Sequence, residues 1–320
     1  MSDSENTKIN NMDLTANLVK DLIKERRRDR CWRNLRFFAG FILIVIAGVG
    51  LYVSNTPSIS EGGPGAGKDY VAMLRLNGII SADSSFSAEQ VVPQLRQAFA
   101  DKEAKGVLID IDSGGGTPVQ AAIIHDEIVK LKKKYHKKVV VVGEDMLASG
   151  AYFVAVSGDK IFVNANTITG SIGVIMAGFG LPDTIKKIGM ERRVYTAGDH
   201  KDRLDMFLPV QPDDAQKIKT LLDEVHQNFI QVVTAGRQGK LVGDTKELFS
   251  GDFWTGESAV KLGLADGLGN MWDVMQTEFN VSRYKDYSAE ADIMKTIANK
   301  MGAALSLPLK SEQMRLFEKF

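Results

Sequence analysis

The chain has 320 residues, 44% hydrophobic and 25% charged, enough for one large folded domain or two small ones. Forty Lys and Arg balance forty Asp and Glu, so the net charge gives no sign of a nucleic-acid partner. Cys31 is the single cysteine, which excludes an internal disulfide and a cysteine-based metal site. The four histidines, His125, His136, His200 and His226, show no ligand spacing, so no metal or other cofactor is expected.

The neutral total hides an asymmetry. Residues 1–36 end in a basic stretch holding Arg26, Arg27, Arg28, Arg30, Arg33 and Arg36, and 17 apolar residues follow at 37–53. The first charge after them is Glu61. A membrane-spanning helix needs roughly 17–25 residues, and positive charge marks the cytoplasmic side. The reading is a signal anchor in contact with membrane lipid, with a cytoplasmic N-terminus and all later residues across the membrane. A cleaved signal peptide would carry an unusually long basic region before its apolar core. Residues 54–68 are rich in Gly, Ser and Pro and read as a linker. The folded domain is expected over 69–285, and 286–320 as a C-terminal helix and tail.

Within the domain, strand patterns alternate with helix patterns, which predicts an α/β domain with a mainly parallel sheet. Strands are expected at 71–76, 106–111, 138–142, 160–164 and 171–176. Helices are expected from Ser87, with Gln90 completing a capping box, and from Thr117, with Pro118 first and Gln120 as the reciprocal partner. Lysines at 130–138 read as a solvated face. Residues 181–188 read as helical, 192–196 as extended, 211–237 as a long helix with an apolar stripe for packing, and 257–262 and 271–279 as short helices.

Three stretches bear on chemistry. Ser149 lies between the buried run Val139–Val142 and the apolar segment after Gly150. A hydroxyl there can be a nucleophile, with the Gly150 N–H facing the oxyanion it creates; it can also be a small residue chosen for a tight turn. No histidine lies between His136 and His200. Lys201, beside His200 in a polar loop, can act as a base when burial makes its amine neutral, or it can be a solvated loop lysine. Ser113-Gly114-Gly115-Gly116 follows a buried strand and can present a backbone N–H to a carbonyl oxygen. It matches neither the Walker pattern nor a dinucleotide fingerprint.

Four motifs carry a resemblance: Asp112-Ser-Gly-Gly-Gly116; Leu147-Ala-Ser-Gly-Ala-Tyr-Phe153 with Asp159-Lys-Ile161; Thr169-Gly-Ser-Ile-Gly-Val174; and Gly198-Asp-His-Lys-Asp202. In this order and spacing the chain resembles the bacterial signal peptide peptidase A family in its short, single-copy form. The resemblance implies a Clp-protease/crotonase-like fold of repeated ββα units and a serine–lysine dyad. It implies Ser149 as nucleophile, Lys201 as base, Ser171 as the hydroxyl orienting the lysine, and Gly150 and Gly115 as oxyanion donors, with Gly116 the alternative to Gly115. It further implies a bacterial inner-membrane location, a homo-oligomeric bowl or ring and signal-peptide substrates. The family usually has proline where this chain has Gly114. Met146, Leu147, Ile172 and Val174 are candidates for shallow apolar substrate pockets, or for ordinary core. Two rival readings remain: a crotonase-fold enzyme acting on acyl-CoA, and an inactive scaffold.

Overall fold

The computed structural model describes residues 32, 36–45 and 69–288, and the chain divides into two units at Pro57 and Ser58. In the first, residues 36–45 form helix α1. No helix among the described residues is long and apolar enough to cross a membrane. Residues 46–53 of the expected anchor, the linker at 54–68, and 289–320 of the expected tail lie outside the described residues.

The second unit opens with β1 (Val71–Asn77), α2 (Ala88–Ala100), β2 (Val107–Ser113), α3 (Pro118–Tyr135), β3 (Val139–Ala148), α4 (Gly150–Ala155), β4 (Lys160–Val163) and β5 (Ile168–Gly170). It continues through α5 (Pro182–Lys187), α6 (Pro212–Gly236), α7 (Thr245–Leu248), β6 (Phe253–Thr255), α8 (Gly256–Lys261), β7 (Gly267–Leu268), α9 (Met271–Phe279) and β8 (Tyr284–Asp286). One sheet runs β6-β5-β3-β2-β1-β8, with β4 also on β3 and β7 on β4. Every pairing is parallel except β5 with β6.

The strands read as continuous apolar runs because both faces are covered, as parallel sheets require. Leu74, Ile109 and Val141 face a core shared with α2 and α3. Met73, Leu108, Val140 and Val142 face a second core closed by Met271, Val274 and Met275 of α9. β3 changes neighbour along its length. It pairs with β4 through Val140–Gly143 and with β5 through Met146–Ala148. Its far end is thereby held after β4 has diverged, and that end carries the site.

Several local expectations need correction. Ser87 does cap α2, its hydroxyl accepting from the Gln90 N–H at 3.4 Å. Thr117 precedes Pro118 but makes no side-chain cap. Gln120 instead accepts from the Ala88 N–H of α2 at 2.8 Å, satisfying an orphan donor of the neighbouring helix. The lysine run is not simply solvated: Lys132 pairs with Asp159 at 2.7 Å and Lys138 with Glu278 at 2.7 Å. The strand expected at 171–176 is displaced to Ile168–Gly170, because β3, its partner, ends at Ala148. Residues 192–196 pair with no strand among the described residues.

Candidate active site

Ser149 sits at the turn from β3 into α4 with φ 52 and ψ −123, a backbone region that L-residues rarely occupy. Such a conformation costs about 1–3 kcal/mol and persists only where the surroundings impose it. They do so through the main chain. The Ser149 N–H donates to the Gly170 carbonyl at 2.8 Å, and its carbonyl accepts from the Phe153 N–H at 3.0 Å. The half-buried hydroxyl makes no cap on α4.

The glycine loop is fixed around this turn. The Gly78 N–H donates to the Asp112 carbonyl at 2.9 Å, and the Met146 N–H donates to the Asp112 carboxylate at 3.0 Å. Ile80 bridges the loop, donating to the Gly115 carbonyl at 2.9 Å and accepting from Thr117 at 2.8 Å. Gly115, at φ 99, has no room for a side chain: a Cβ would stand 2.7 Å from the Gly150 nitrogen and 2.8 Å from the Ser149 Cβ. At Gly114 a Cβ would meet only the end of Met146, at 3.2 Å, so that position accepts a side chain.

The Gly115 N–H does not point out of the loop. It donates to the buried Ser113 hydroxyl at 3.1 Å. The Gly116 nitrogen lies 3.2 Å from where a Gly150 Cβ would stand, and it donates to no backbone carbonyl outside regular elements. Gly116, Gly150 and Ser149 border one cavity of about 330 Å³. Of the two glycines expected as alternatives for the second donor, Gly115 thus has its N–H engaged within the loop, and Gly116 borders the cavity.

Apolar side chains dominate that cavity: Val119 and Ala122 of α3, Phe153 of α4, Val174 and Ile175, and Val225 and Phe229 of α6, with Asn228 as a polar exception. Of the four residues expected there, Val174 is present. Leu147 and Ile172 are instead fully buried in the core. Met146 is 41% exposed and lies against Gly114 instead. Sequence reasoning missed Val119, Phe153 and Phe229. The stripe along α6 was the available signal, but its reading as packing hid that Val225 and Phe229 face a cavity.

Ser171 follows Gly170, the register partner of Ala148, so the two serines leave the ends of adjacent strands. Ser171 also has positive φ, 49, and its N–H is tied to the Asp252 carbonyl at 2.7 Å. His226 on α6 has its Nε2 3.0 Å from the Ile172 carbonyl, fixing the segment that follows. Lys201 is not brought to Ser149. It is exposed, in a turn closed by its own N–H on the Gly198 carbonyl at 3.3 Å, and it does not border the Ser149 cavity.

Comparison with known proteins follows the same residues. The family model described as Peptidase family S49 matches residues 131–281, the stretch holding Ser149, Ser171 and Lys201. A putative protease of Synechocystis is 32% identical over 206 residues, covering 64% of this chain and 72% of that protein. The chain belongs to the signal peptide peptidase A family, peptidase family S49. A putative signal peptide peptidase SppA of Enterococcus faecium is 31% identical over 221 residues, 67% of this chain and 64% of that protein. A Brucella melitensis protein named Na(+)/H(+) antiporter NhaA is 45% identical over 214 residues, 65% of this chain. This chain spans only 29% of that protein's length, so the match concerns a part of it.

Proposed function

We propose that the protein is a membrane-anchored serine endopeptidase that cleaves apolar peptides such as spent signal peptides, through an acyl-enzyme on Ser149. The observation that carries this reading is the strained Ser149 turn, which borders an apolar cavity together with Gly150 and Gly116. Backbone donors aimed at one point stabilise the oxyanion of acyl transfer, and because they are already in place they lower the barrier without reorganising. The fold we assign to it is of the Clp-protease/crotonase type.

The substrate enters as an extended strand. Beyond Ser171 the chain offers an open edge: no N–H of residues 174–180 donates to a backbone carbonyl. Main-chain pairing along such an edge gives affinity without side-chain preference, and the cavity beside Ser149 then selects one apolar side chain.

Lys201 is the base, and we propose that it serves the Ser149 of a neighbouring copy. Its exposure, and its place outside the residues that border the Ser149 cavity in a single chain, support this. So does the apolar surface of the same region: Ile175, Phe179, Ile188, Tyr195 and Val210 are 65–92% exposed. Covering that surface in a homo-oligomer would remove water from the lysine, favouring the neutral amine that a general base needs. Ser171 orients that amine. Lys201 takes the Ser149 proton as the alkoxide attacks the scissile carbonyl. It then protonates the leaving amine, and water hydrolyses the ester.

The test uses the full-length chain in detergent with an apolar fluorogenic peptide. Cleavage should vanish in Ser149→Ala and in Lys201→Ala while circular dichroism stays unchanged. Cleavage that persists in Ser149→Ala would rule the mechanism out.

A further inference from the structure

β2 and β3 run in register from Val107 with Val139 to Ile111 with Gly143, and then lose step: the next pair is Ser113 with Leu147. Asp112 alone thus faces Glu144, Asp145 and Met146, an irregularity of the β-bulge kind. It lies between the core and Ser149. Two contacts hold it, the Asp112 carboxylate on the Met146 N–H at 3.0 Å and the Thr167 hydroxyl on the Glu144 carbonyl at 2.6 Å.

Asp110 lies just before this bulge, on the same face of the sheet as Met73, Leu108 and Val142. It is 6% exposed, and its Oδ1 is buried without a hydrogen-bond partner. Its Oδ2 is 3.9 Å from Arg75 Nε, too far for a hydrogen bond. The Arg75 guanidinium is engaged elsewhere, by the Asp286 carboxylate and by the Tyr284 hydroxyl at 3.1 Å, both on β8. The charged groups facing Asp110 are therefore Arg75 on β1, Asp112 on its own strand and Glu144 on β3, with Asp286 behind Arg75. Glu144 comes two residues after Val142, the register partner of Asp110, so its carboxylate is on the same face of the sheet, at the exposed margin of the bulge.

Two ionised carboxylates offer each other no donor, whereas one proton between them supplies the partner that the buried oxygen lacks. Burial first, and then Glu144, push the Asp110 carboxyl up to about 7; Arg75 offsets this only in part.

We propose that Asp110 and Glu144 share one proton, and that this carboxyl–carboxylate bond is a positioning element that sets the bulge and, through Asp112 and Met146, the seat of the glycine loop against Ser149. Loss of the proton places two like charges side by side where the chain turns toward the nucleophile. The kinetic consequence rests on the peptidase reading; the shared proton does not.

Asp110→Asn keeps the shape and gives Glu144 a permanent N–H donor, while Asp110→Leu removes the link at every pH. In the full-length chain, the ratio of Asp110→Asn to wild-type cleavage should rise by up to about tenfold per pH unit above neutrality. Titration of the catalytic base cancels in that ratio. Asp110→Leu should be slow throughout. A pH-independent ratio overturns the positioning role. Two readouts need no cleavage. Because the folded-state pKa lies above the unfolded one, wild-type Tm should fall relative to Asp110→Asn as pH rises from about 4 to about 8. The infrared band of a protonated buried carboxyl should persist at mildly acidic pH and vanish in Asp110→Asn. Absence of that band together with a constant Tm difference refutes the shared proton. Presence of both without cleavage by any variant supports it and refutes the peptidase reading alone.

Discussion

Gly115 stands directly against Ser149: a Cβ on the glycine would come within 2.8 Å of the serine Cβ. The loop and the Ser149 turn are therefore built around each other with no space to spare. Gly115→Ala should cut kcat by about a hundredfold or more, because its Cβ would displace the Gly150 nitrogen, a proposed oxyanion donor, and should lower Tm. Gly114→Ala is the control. Its Cβ meets only the flexible end of Met146, so steady-state kinetics should stay within a few fold of wild type. Equal losses in the two variants would separate the loop from catalysis.

In the proposed mechanism Ser149 sets stability against activity at one position. Its backbone conformation suits glycine, so Ser149→Gly should raise unfolding free energy by about 1 kcal/mol while abolishing cleavage. Ser149→Ala should abolish cleavage without that gain. Chemical denaturation of both variants measures the difference, and a destabilised Ser149→Gly would contradict the strain.

Lys201 and Ser149 can be tested as partners across a subunit boundary by mixing. Ser149→Ala and Lys201→Ala are each expected to be inactive. Coexpressed, they should regain about one quarter of wild-type activity if a site takes its serine and lysine from different copies in a heterologous ring. No recovery in verified mixed oligomers would place both residues in one chain.

Asp101 makes the acid stability of the domain predictable. Burial alone would raise its pKa. Hydrogen bonds from the Tyr287 hydroxyl, the Glu103 N–H and the Tyr70 hydroxyl outweigh that and hold it at about 2. A carboxylate with a depressed folded pKa contributes stability that is present above its unfolded pKa and is lost as pH falls through the folded one. Asp101→Asn should therefore lower Tm at neutral pH, and its deficit should close as pH drops from about 4 toward about 2. The measurement is a Tm series in matched buffers.

Phe229 bounds the cavity beside Ser149 and packs on Phe153 with ring centroids 5.2 Å apart. Phe229→Ala should enlarge the cavity and shift preference toward bulkier apolar side chains by about tenfold in relative kcat/KM, the scale of a few methylenes in a pocket. A library of peptides varied at the residue before the cleaved bond reads this directly.

The sheet was legible because β1, β2 and β3 are apolar runs bounded by clear breaks, and Ser149 because it falls at such a break. β6 and β8 were not. Each has three residues, too few for a pattern, and pairs with a strand distant in sequence: β5 for one, β1 for the other. The glycine loop was visible as three glycines, but which N–H remains free depends on the Ser113 hydroxyl turning inward. Leu147 and Ile172 were offered as pocket residues from nearness in sequence to the serines. Both are in the core, and much of the cavity wall comes from α3 and α6 instead. Asp110 and Glu144 were not singled out, since their pairing needs the register of β2 on β3.

The bonds that hold Ser149, Gly115 and Gly150 in place come mostly from main-chain atoms, while the cavity beside them is walled by side chains from other helices. Shape for catalysis and shape for selection are thus written in different parts of the molecule. Residues such as Val119, Val225 and Phe229 can change through mutation, one at a time, without disturbing the atoms that the proposed mechanism uses to stabilise a reacting carbonyl. The same scaffold can wander among diets of peptides while its chemistry stays fixed.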